Sequence, residues 1–259
     1  MPEATALQRP TTRDEAWRYA DGAWLAQAPV DWLNHWGTVE VPPGETKHFN
    51  AFHHSGPQAS GGSVHRTRVH VGAGGRYEHF EINASHIEYS RIELEVTLEE
   101  GAHFEFGAVT IGRANARQEF VTRVIHKAPN ATSNQVVRAV QAGQSTGNYL
   151  GRIEVVRDAQ KTDAAQNFRA ILLEKGASAN AKPELEIFAD DVKCAHGAAI
   201  GQLDQAAAYY MAARGIPPEA ARKLLVQAFI ADALTAIEDR RIADRMLERA
   251  LEQLDEAAL

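Results

Sequence analysis

Short strand-like segments separated by small turns recur along the middle of the chain. Two-residue turns begin at Gly72, Gly101, Asn130, Asp158 and Gly176, so successive turns lie 29, 29, 28 and 18 residues apart. Before each turn, Val, Ile, Phe and Tyr alternate with polar residues, which is the period of a strand with one face in water. A unit of this kind buries its apolar face only by stacking on the next unit. The pattern therefore predicts a mainly β fold, either a β-solenoid or a stacked β-sandwich.

The chain divides into three segments of different composition. Residues 1–38 hold all four tryptophans, and we expect a short helix at 13–19 with aromatic rings that fill one end of a core. Residues 39–202 contain the recurring strands and are predicted to form the β core. The clearest strands are 69–71, 77–82, 92–96 and 103–106. Residues 203–259 are rich in Ala, Leu, Glu and Arg, so we predict a small C-terminal helical domain there.

Start and stop signals divide the last segment into three helices. Asp204 is placed to cap the first helix, which ends before Gly215. Pro217 and Pro218 open the second helix, and the third runs from about 240 to 254. The second helix carries an apolar stripe that includes Leu224, Leu225, Ala228 and Phe229. This stripe is either one face of a helix hairpin or a docking surface for a partner protein.

Charge and cysteine content exclude several classes of function. The chain has 27 Lys and Arg against 34 Asp and Glu, a net charge of −7, which argues against nucleic-acid binding along a basic face. The single cysteine, Cys194, excludes an internal disulfide and a site made of cysteines alone. The sequence shows neither a secretory signal nor an apolar run long enough to span a membrane. We therefore predict a cytoplasmic protein without membrane contact.

The histidines raise the question of a metal site. Five of the 11 fall in one β-rich stretch that also contains Glu78: His53, His54, His65, His70 and His79. His65 and His70 lie an odd number of residues apart, so on one uninterrupted strand they point to opposite faces. Their spacing matches no established pattern of metal ligands. We interpret these histidines as residues of a polar face, with a metal site as the alternative.

The stretch 182–198 contains the most informative pair of side chains. A strand that alternates Leu185 and Ile187 with acidic residues leads to two aspartates, and Cys194 and His196 follow. Residues two apart on an extended backbone point to the same face, so this thiol and imidazole can bind one soft metal or sulfur species. Gly197 allows another backbone to approach closely. The alternative is a structural cysteine beside an exposed histidine.

Four motifs give the segment 143–237 a family resemblance. They are DAQKTDAAQ at 158–166, KPELEIFADDVKCAHGA at 182–198, GQLD at 201–204 and RGIP at 214–217. Together they resemble the SufB/SufD family of iron–sulfur cluster assembly scaffolds, and its SufD branch in particular. The stretch 13–21 also resembles the start of that family, although members are commonly much longer before the β-rich part.

The resemblance implies a right-handed parallel β-helix followed by a small helical domain. It implies that the chain is a scaffold rather than an enzyme, that it pairs with SufB through the β-helix and that it binds the ATPase SufC through its C-terminal helices. Cys194 and His196 are then candidate ligands of a transient iron–sulfur cluster shared with SufB, and no cofactor is held tightly by the isolated chain. In the absence of SufB, a homodimer is a further expectation.

Two other functions remain open at this point. A thiol- or metal-dependent enzyme could use Cys194 and His196 alone, and it would show turnover by the isolated chain. A purely structural subunit would only position SufC, and it would tolerate changes at both residues.

Overall fold

Parallel strands dominate the structure. A computed structural model describes residues 8–55 and 60–255, and the outermost parts of the two predicted end segments, 1–7 and 256–259, lie outside the described residues. Within the described part, 12 strands form two sheets of six. The first sheet contains β1 (Gly37–Val41), β3 (Gly62–Val71), β5 (Tyr89–Leu98), β7 (Arg117–His126), β9 (Thr146–Val155) and β11 (Ser178–Ile187). The second contains β2 (Thr46–His54), β4 (Arg76–Ala84), β6 (His103–Gly112), β8 (Thr132–Gln141), β10 (Asp163–Leu172) and β12 (Lys193–Gly201).

The chain alternates between the two sheets and advances by one strand at each pass. The strand orders are β1-β3-β5-β7-β9-β11 and β12-β10-β8-β6-β4-β2, and each neighbouring pair is parallel. Each pair of consecutive strands therefore forms one coil, and the 12 strands form a solenoid of six coils. The predicted β-solenoid is confirmed, and the β-sandwich alternative is excluded.

A ladder of left-handed residues explains the period seen in the sequence. Gly44, Gly74, Gly101, Asn130 and Lys161 all have positive φ, between 61° and 71°, at the corner where each coil passes from the first sheet to the second. The backbone N–H of each donates to a carbonyl of the next coil, at 2.7–3.0 Å. The predicted turn at 176–177 lies at the opposite corner, between β10 and β11, which explains its shorter interval.

Apolar and aromatic side chains from both sheets fill the interior of the coil. The rings of Phe104 and Phe106 stack with centroids 6.0 Å apart, and those of Tyr149 and Phe168 stack at 5.7 Å. All four side chains are buried. Tyr77 of the preceding coil stacks on Phe104 at 6.0 Å, and interior residues from β1 to β10 belong to one buried cluster. The interior is therefore one continuous core.

The N-terminal segment covers the outer face of the first sheet. It contains a 3-10 turn at Glu15–Trp17, helix α1 (Gly22–Gln27) and helix α2 (Val30–Asn34). The predicted helix at 13–19 is wrong in extent, because only Glu15–Trp17 is helical. The Asp14 carboxylate, just before this turn, accepts hydrogen bonds from Thr11 and does not cap the turn. The expectation that the rings fill one end of the core is also wrong.

These aromatic and aliphatic side chains instead form a cluster on that outer face. Trp17, Leu25 and Leu33 pack with Tyr89 of β5, and Trp24 lies against the same cluster. The ring of Trp24 lies 4.9 Å from the ring of Tyr89. The described N-terminal residues, 8–36, therefore cross the outer face of the sheet and do not close the end of the coil. We call them the strap.

The C-terminal segment forms α3 (Gln205–Ala212), α4 (Pro218–Ala231), a 3-10 turn at Asp232–Leu234 and α5 (Arg240–Asp255). The predicted cap is confirmed, because the Asp204 carboxylate accepts from the N–H groups of Ala206 and Ala207 at 2.9 and 3.0 Å. Gly215 adopts φ of 81°, as expected after the end of α3. No helix in the described part of the chain is both long and apolar enough to cross a membrane.

The helices after Pro217 pack on the outer face of the second sheet. Val226 and Ile230 of α4 share one buried cluster with Phe80, Val109 and Val140 of that sheet. The sheet therefore has apolar residues on both faces, inside the coil and beneath the helices.

Candidate functional site

Cys194 and His196 lie on the last strand of the solenoid. Among the described residues, β12 pairs only with β10, so its other edge is free. Cys194 is in register with Ala164, and His196 with Gln166. Ala164 and Gln166 are buried in the coil, and side chains in register on parallel strands point the same way. Both candidate residues therefore face the interior side at the open end of the coil, as their spacing predicts.

The thiol of Cys194 is half-buried against an apolar cluster. The cluster contains Ile153, Val155, Ala159, Ala164 and Ala189. Burial raises the pKa of the Cys194 thiol, and the nearby Asp163 carboxylate raises it further. A thiol of raised pKa is a poor nucleophile at neutral pH, and it becomes a good ligand when a metal displaces its proton.

The imidazole of His196 is exposed above a buried polar network that the sequence analysis did not identify. The Tyr149 hydroxyl lies 3.2 and 3.1 Å from the side-chain carbonyl oxygens of Gln135 and Gln166, which share its single proton as acceptors. The Gln166 amide in turn donates to the carbonyl of Glu184 at 3.0 Å. Gln166 thus links the strand beneath His196 to β11 across the coil.

One glycine makes room for this network. A Cβ at Gly151 would overlap the side-chain oxygen of Gln166 and the hydroxyl of Tyr149. Gln135 and Gln166 occupy equivalent positions on neighbouring coils, since the strand register pairs them directly. This repeat of glutamine could have indicated the network, but it is recognisable only when the register of the coils is known.

The turn before β12 is held by the preceding coil. The backbone N–H of Asp191 donates to the side-chain oxygen of Gln160 at 2.9 Å, and its carbonyl accepts from the N–H of Lys161 at 2.7 Å. The ammonium of Lys161 also donates to the Asp191 carboxylate. The motifs at 158–166 and 182–198 are therefore two neighbouring coils of one structural unit.

The open end of the coil offers an incomplete set of metal ligands. Across residues 8–55 and 60–255, no three His, Cys, Asp or Glu side chains are placed to hold a metal ion together. Large apolar side chains are exposed around the end: Ile187, Phe188 and Ile200. Iron–sulfur clusters usually take four protein ligands, so Cys194 and His196 could supply at most half of a set.

The histidines near the other end of the solenoid make hydrogen bonds to carboxylates. His79 Nε2 lies 2.7 Å from the Glu81 carboxylate, which also contacts His53. The ring of His65 is tilted by 37° against the ring of His53, with centroids 5.3 Å apart. Burial alone would raise the pKa of Glu81, but His79 and His53 lower it to about 2.

His70 lies on the outer face of its strand. It contacts Glu40 and Glu99 at 3.0 and 3.2 Å, whereas His65 faces inward towards His53. The predicted opposite orientation of His65 and His70 is confirmed. His70 fits the predicted polar face, whereas His79 is buried and His65 faces the interior, so the polar-face interpretation holds only in part.

The apolar stripe of α4 is divided between core and surface. Leu224 is 47% exposed and Ala228 is exposed, whereas Leu225 and Phe229 are partly buried. Phe229 packs against the cluster beneath α4, and the guanidinium of Arg138 lies 5.8 Å from its ring centre. Tyr209 and Tyr210 of the neighbouring α3 are also exposed. Part of this helical layer is therefore available to a partner.

Comparisons with known proteins agree with these features. Residues 37–229 match the family model described as "SUF system FeS cluster assembly, SufBD core domain". The chain is 34% identical over 181 residues to the iron–sulfur cluster assembly SufBD family protein slr0076 of Synechocystis, an alignment that covers 69% of this chain and 40% of the relative. It is 39% identical over 126 residues to protein ABCI7, chloroplastic, of Arabidopsis thaliana, covering 48% of this chain and 26% of the relative.

A third relative carries the SufD name. The chain is 33% identical over 129 residues to the iron–sulfur cluster assembly protein SufD of Escherichia coli, covering 50% of this chain and 30% of the relative. The chain thus spans at most 40% of the length of these three relatives. Because the family model covers all 12 strands of the solenoid and reaches into α4, the chain belongs to the SufBD family of the SUF iron–sulfur cluster assembly system.

Proposed function

We propose that this chain is a SufD-like scaffold subunit, and that Cys194 and His196 supply ligands to a nascent iron–sulfur cluster. The observation that carries the proposal is the placement of both side chains on one face of a free edge strand, at the open end of the coil. The cluster is cargo that is built there and passed on. The relative named SufD in Escherichia coli supports this choice within the family.

The remaining ligands come from SufB in this proposal. Two donors do not complete a cluster, and the apolar side chains of Phe188 and Ile200 are exposed around them, at 56% and 45%. A partner that docks on this end covers those side chains and completes the ligand set in one step. When SufB is absent, the same end could pair with a second copy of the chain, and this homodimer stays a prediction.

SufC binds the helical layer in this proposal. Leu224 and Ala228 of α4 are exposed, and so are Tyr209 and Tyr210 of α3, the helix that contacts α4. These side chains give the helical layer exposed apolar and aromatic groups for a partner to cover. The buried residues of α4, by contrast, hold the helix to the second sheet. Docking of the ATPase on the exposed side would therefore transmit force to the β-solenoid through α4.

The first experiment tests the cluster site. The chain is co-expressed with SufB and SufC, the complex is purified anaerobically, and iron and sulfide are quantified. Cys194→Ser and His196→Ala are expected to lose most of the cluster while the complex stays intact. His70→Ala is the matched control, since His70 lies on the outer face of β3 and should leave the cluster content unchanged. Normal cluster content in both site variants would overturn the assignment of these ligands.

The second experiment tests the helical surface. Leu224→Glu places a charge on the exposed side of α4 and is expected to lose SufC in a pull-down without a change in the circular dichroism spectrum. Val226→Glu places the same charge in the core, where Val226 is fully buried, and should unfold the helical layer. Retention of SufC by Leu224→Glu would place its binding site elsewhere.

The stand-alone enzyme has less support. The pKa of Cys194 is raised by burial, which is opposite to the change that activates a thiol nucleophile. The scaffold proposal therefore expects no turnover by the isolated chain. The cytoplasmic location stays a prediction, since the Arabidopsis relative is chloroplastic.

A further inference from the structure

Lys161 has an unusual backbone conformation for its residue type. Its φ is 64°, in the left-handed region that favours glycine. The equivalent corner of the earlier coils holds Gly44, Gly74, Gly101 and Asn130, residues that adopt this region more readily. At the last of these corners, the backbone of Lys161 is therefore in a strained conformation that a glycine would adopt without strain. A residue held in such a conformation at a candidate site suggests a role for its side chain.

The position of Lys161 in the ladder explains what that role is. Each inner turn is held between two neighbouring coils, as Asn130 is between the coils before and after it. The turn at 188–192 belongs to the last coil, and in the described part of the chain it has a neighbour on one side only. It needs contacts beyond the backbone ladder to hold its position.

Two side chains of the preceding coil supply those contacts. Gln160 accepts a hydrogen bond from the N–H of Asp191 through its side-chain oxygen, and Lys161 forms an ion pair with the Asp191 carboxylate. A glycine at position 161 would keep the backbone hydrogen bond to the Asp191 carbonyl but lose the ion pair. Two residues after Asp191, the N–H of Lys193 donates to the Thr162 carbonyl at 2.8 Å and begins the pairing of β12.

We propose that Lys161 is a positioning residue for the Cys194–His196 strand. Its ammonium group pairs with the Asp191 carboxylate and so holds in place the turn from which β12 starts. This inference rests on the proposed function of Cys194 and His196 as cluster ligands, since it assigns to Lys161 the task of holding them in place.

The test measures how freely the Cys194 thiol reacts in the isolated chain. The reagent is 4,4′-dithiodipyridine, a neutral disulfide, so that the charge of Lys161 does not attract or repel it. In Lys161→Gly, the rate is expected to rise about two- to fivefold at every pH, the range that loss of one exposed ion pair gives.

Two further variants isolate the role of the side chain. Asn130→Gly relaxes the same backbone conformation one coil earlier and is expected to react at the wild-type rate. Lys161→Arg keeps the positive charge and is expected to restore the wild-type rate. Lys161→Gly should unfold at the same denaturant concentration as wild type, or a higher one, because glycine suits a positive φ.

Two results would overturn the inference. Either a wild-type rate in Lys161→Gly or an equal rise in Asn130→Gly would show that Lys161 does not hold the strand. The measurement needs neither SufB nor a cluster. Normal cluster content in both Cys194→Ser and His196→Ala would therefore overturn the proposed ligands without changing this result.

Discussion

Several charged side chains of this protein are buried, and their partners determine how much each contributes to stability. Arg91 is completely buried on the outer face of β5, with Glu93 and Glu119 both at 3.0 Å and the ring of Trp17 at 3.9 Å. The strap removes all four groups from water. Such a cluster is stable only when each charge keeps its partner.

Arg91→Met tests this at the residue scale. The change leaves the Glu119 carboxylate buried without its ion pair, so we expect the free energy of unfolding to fall by about 3–5 kcal/mol. Arg123→Met is the matched control, because Arg123 pairs with Glu95 and Glu154 on the same sheet while 46% of its side chain is exposed, and it should lose about 1 kcal/mol or less. Urea unfolding gives both values, and equal losses would contradict the role of the strap.

His126 makes stability depend on pH. Burial lowers its pKa from 6.5 to about 4 in the folded chain, where its Nε2 lies 2.9 Å from the Ser133 hydroxyl. As pH falls from 6.5 towards 4, the unfolded chain binds a proton that the folded chain does not bind, so stability is lost in that window, by at most about 3 kcal/mol. His126→Gln should flatten the curve of unfolding free energy against pH over this range.

The matched control has the opposite sign. Hydrogen bonds that His70 donates to the carboxylates of Glu99, the larger cause, and Glu40 raise the pKa of this partly exposed histidine. Its contribution is therefore present at low pH and is lost as pH rises through the folded pKa. His70→Gln should lower the free energy of unfolding at low pH relative to wild type. The same change with pH in His126→Gln and His70→Gln would contradict the opposite pKa shifts assigned to the two histidines.

At the scale of elements, the existence of the strands was predictable and their length was not. The sequence predicts a strand at 103–106, but β6 continues to Gly112. In its second half Val109 and Ile111 point outward beneath the helices while Thr110 points inward, all three of them buried. Where a second layer covers the sheet, both faces of a strand are buried, and the alternation of apolar and polar residues no longer predicts the strand.

Gly107→Ala probes the contact between this strand and the helical layer. A Cβ at Gly107 would collide with the carbonyl oxygen of Ala233 and approach the ring of Phe80 to 2.6 Å. We expect the helices to shift and the free energy of unfolding to fall by about 1–3 kcal/mol. Gly201→Ala on β12 is the control, since a Cβ there meets nothing within 4 Å. Equal stability of the two variants in thermal unfolding would show that the helical layer moves away from Gly107 without a loss of unfolding free energy.

At the scale of the whole molecule, the candidate site was predictable in part. The spacing of Cys194 and His196 predicts that both lie on one face of a strand, and the structure shows this on β12, the last strand of the solenoid. The contacts that support the site, from Tyr149 to Gln166 and from Lys161 to Asp191, join residues 17 and 30 positions apart. The first contact joins the two facing strands of one coil and the second joins neighbouring coils, and no local pattern in the sequence specifies either pairing.

The order of the coils also predicts where the molecule is most stable. An inner coil is held by neighbours on both sides, whereas β12 has a strand on one side only in the described part of the chain. Amide hydrogen exchange should therefore be slowest in β6 and β8, where opening approaches global unfolding, and clearly faster in β11 and β12. Addition of SufB should then slow exchange in β12 and leave β6 unchanged, because only a free edge has amides left to protect. Protection at β1 and β2 instead would place the partner at the opposite end of the solenoid, away from Cys194 and His196.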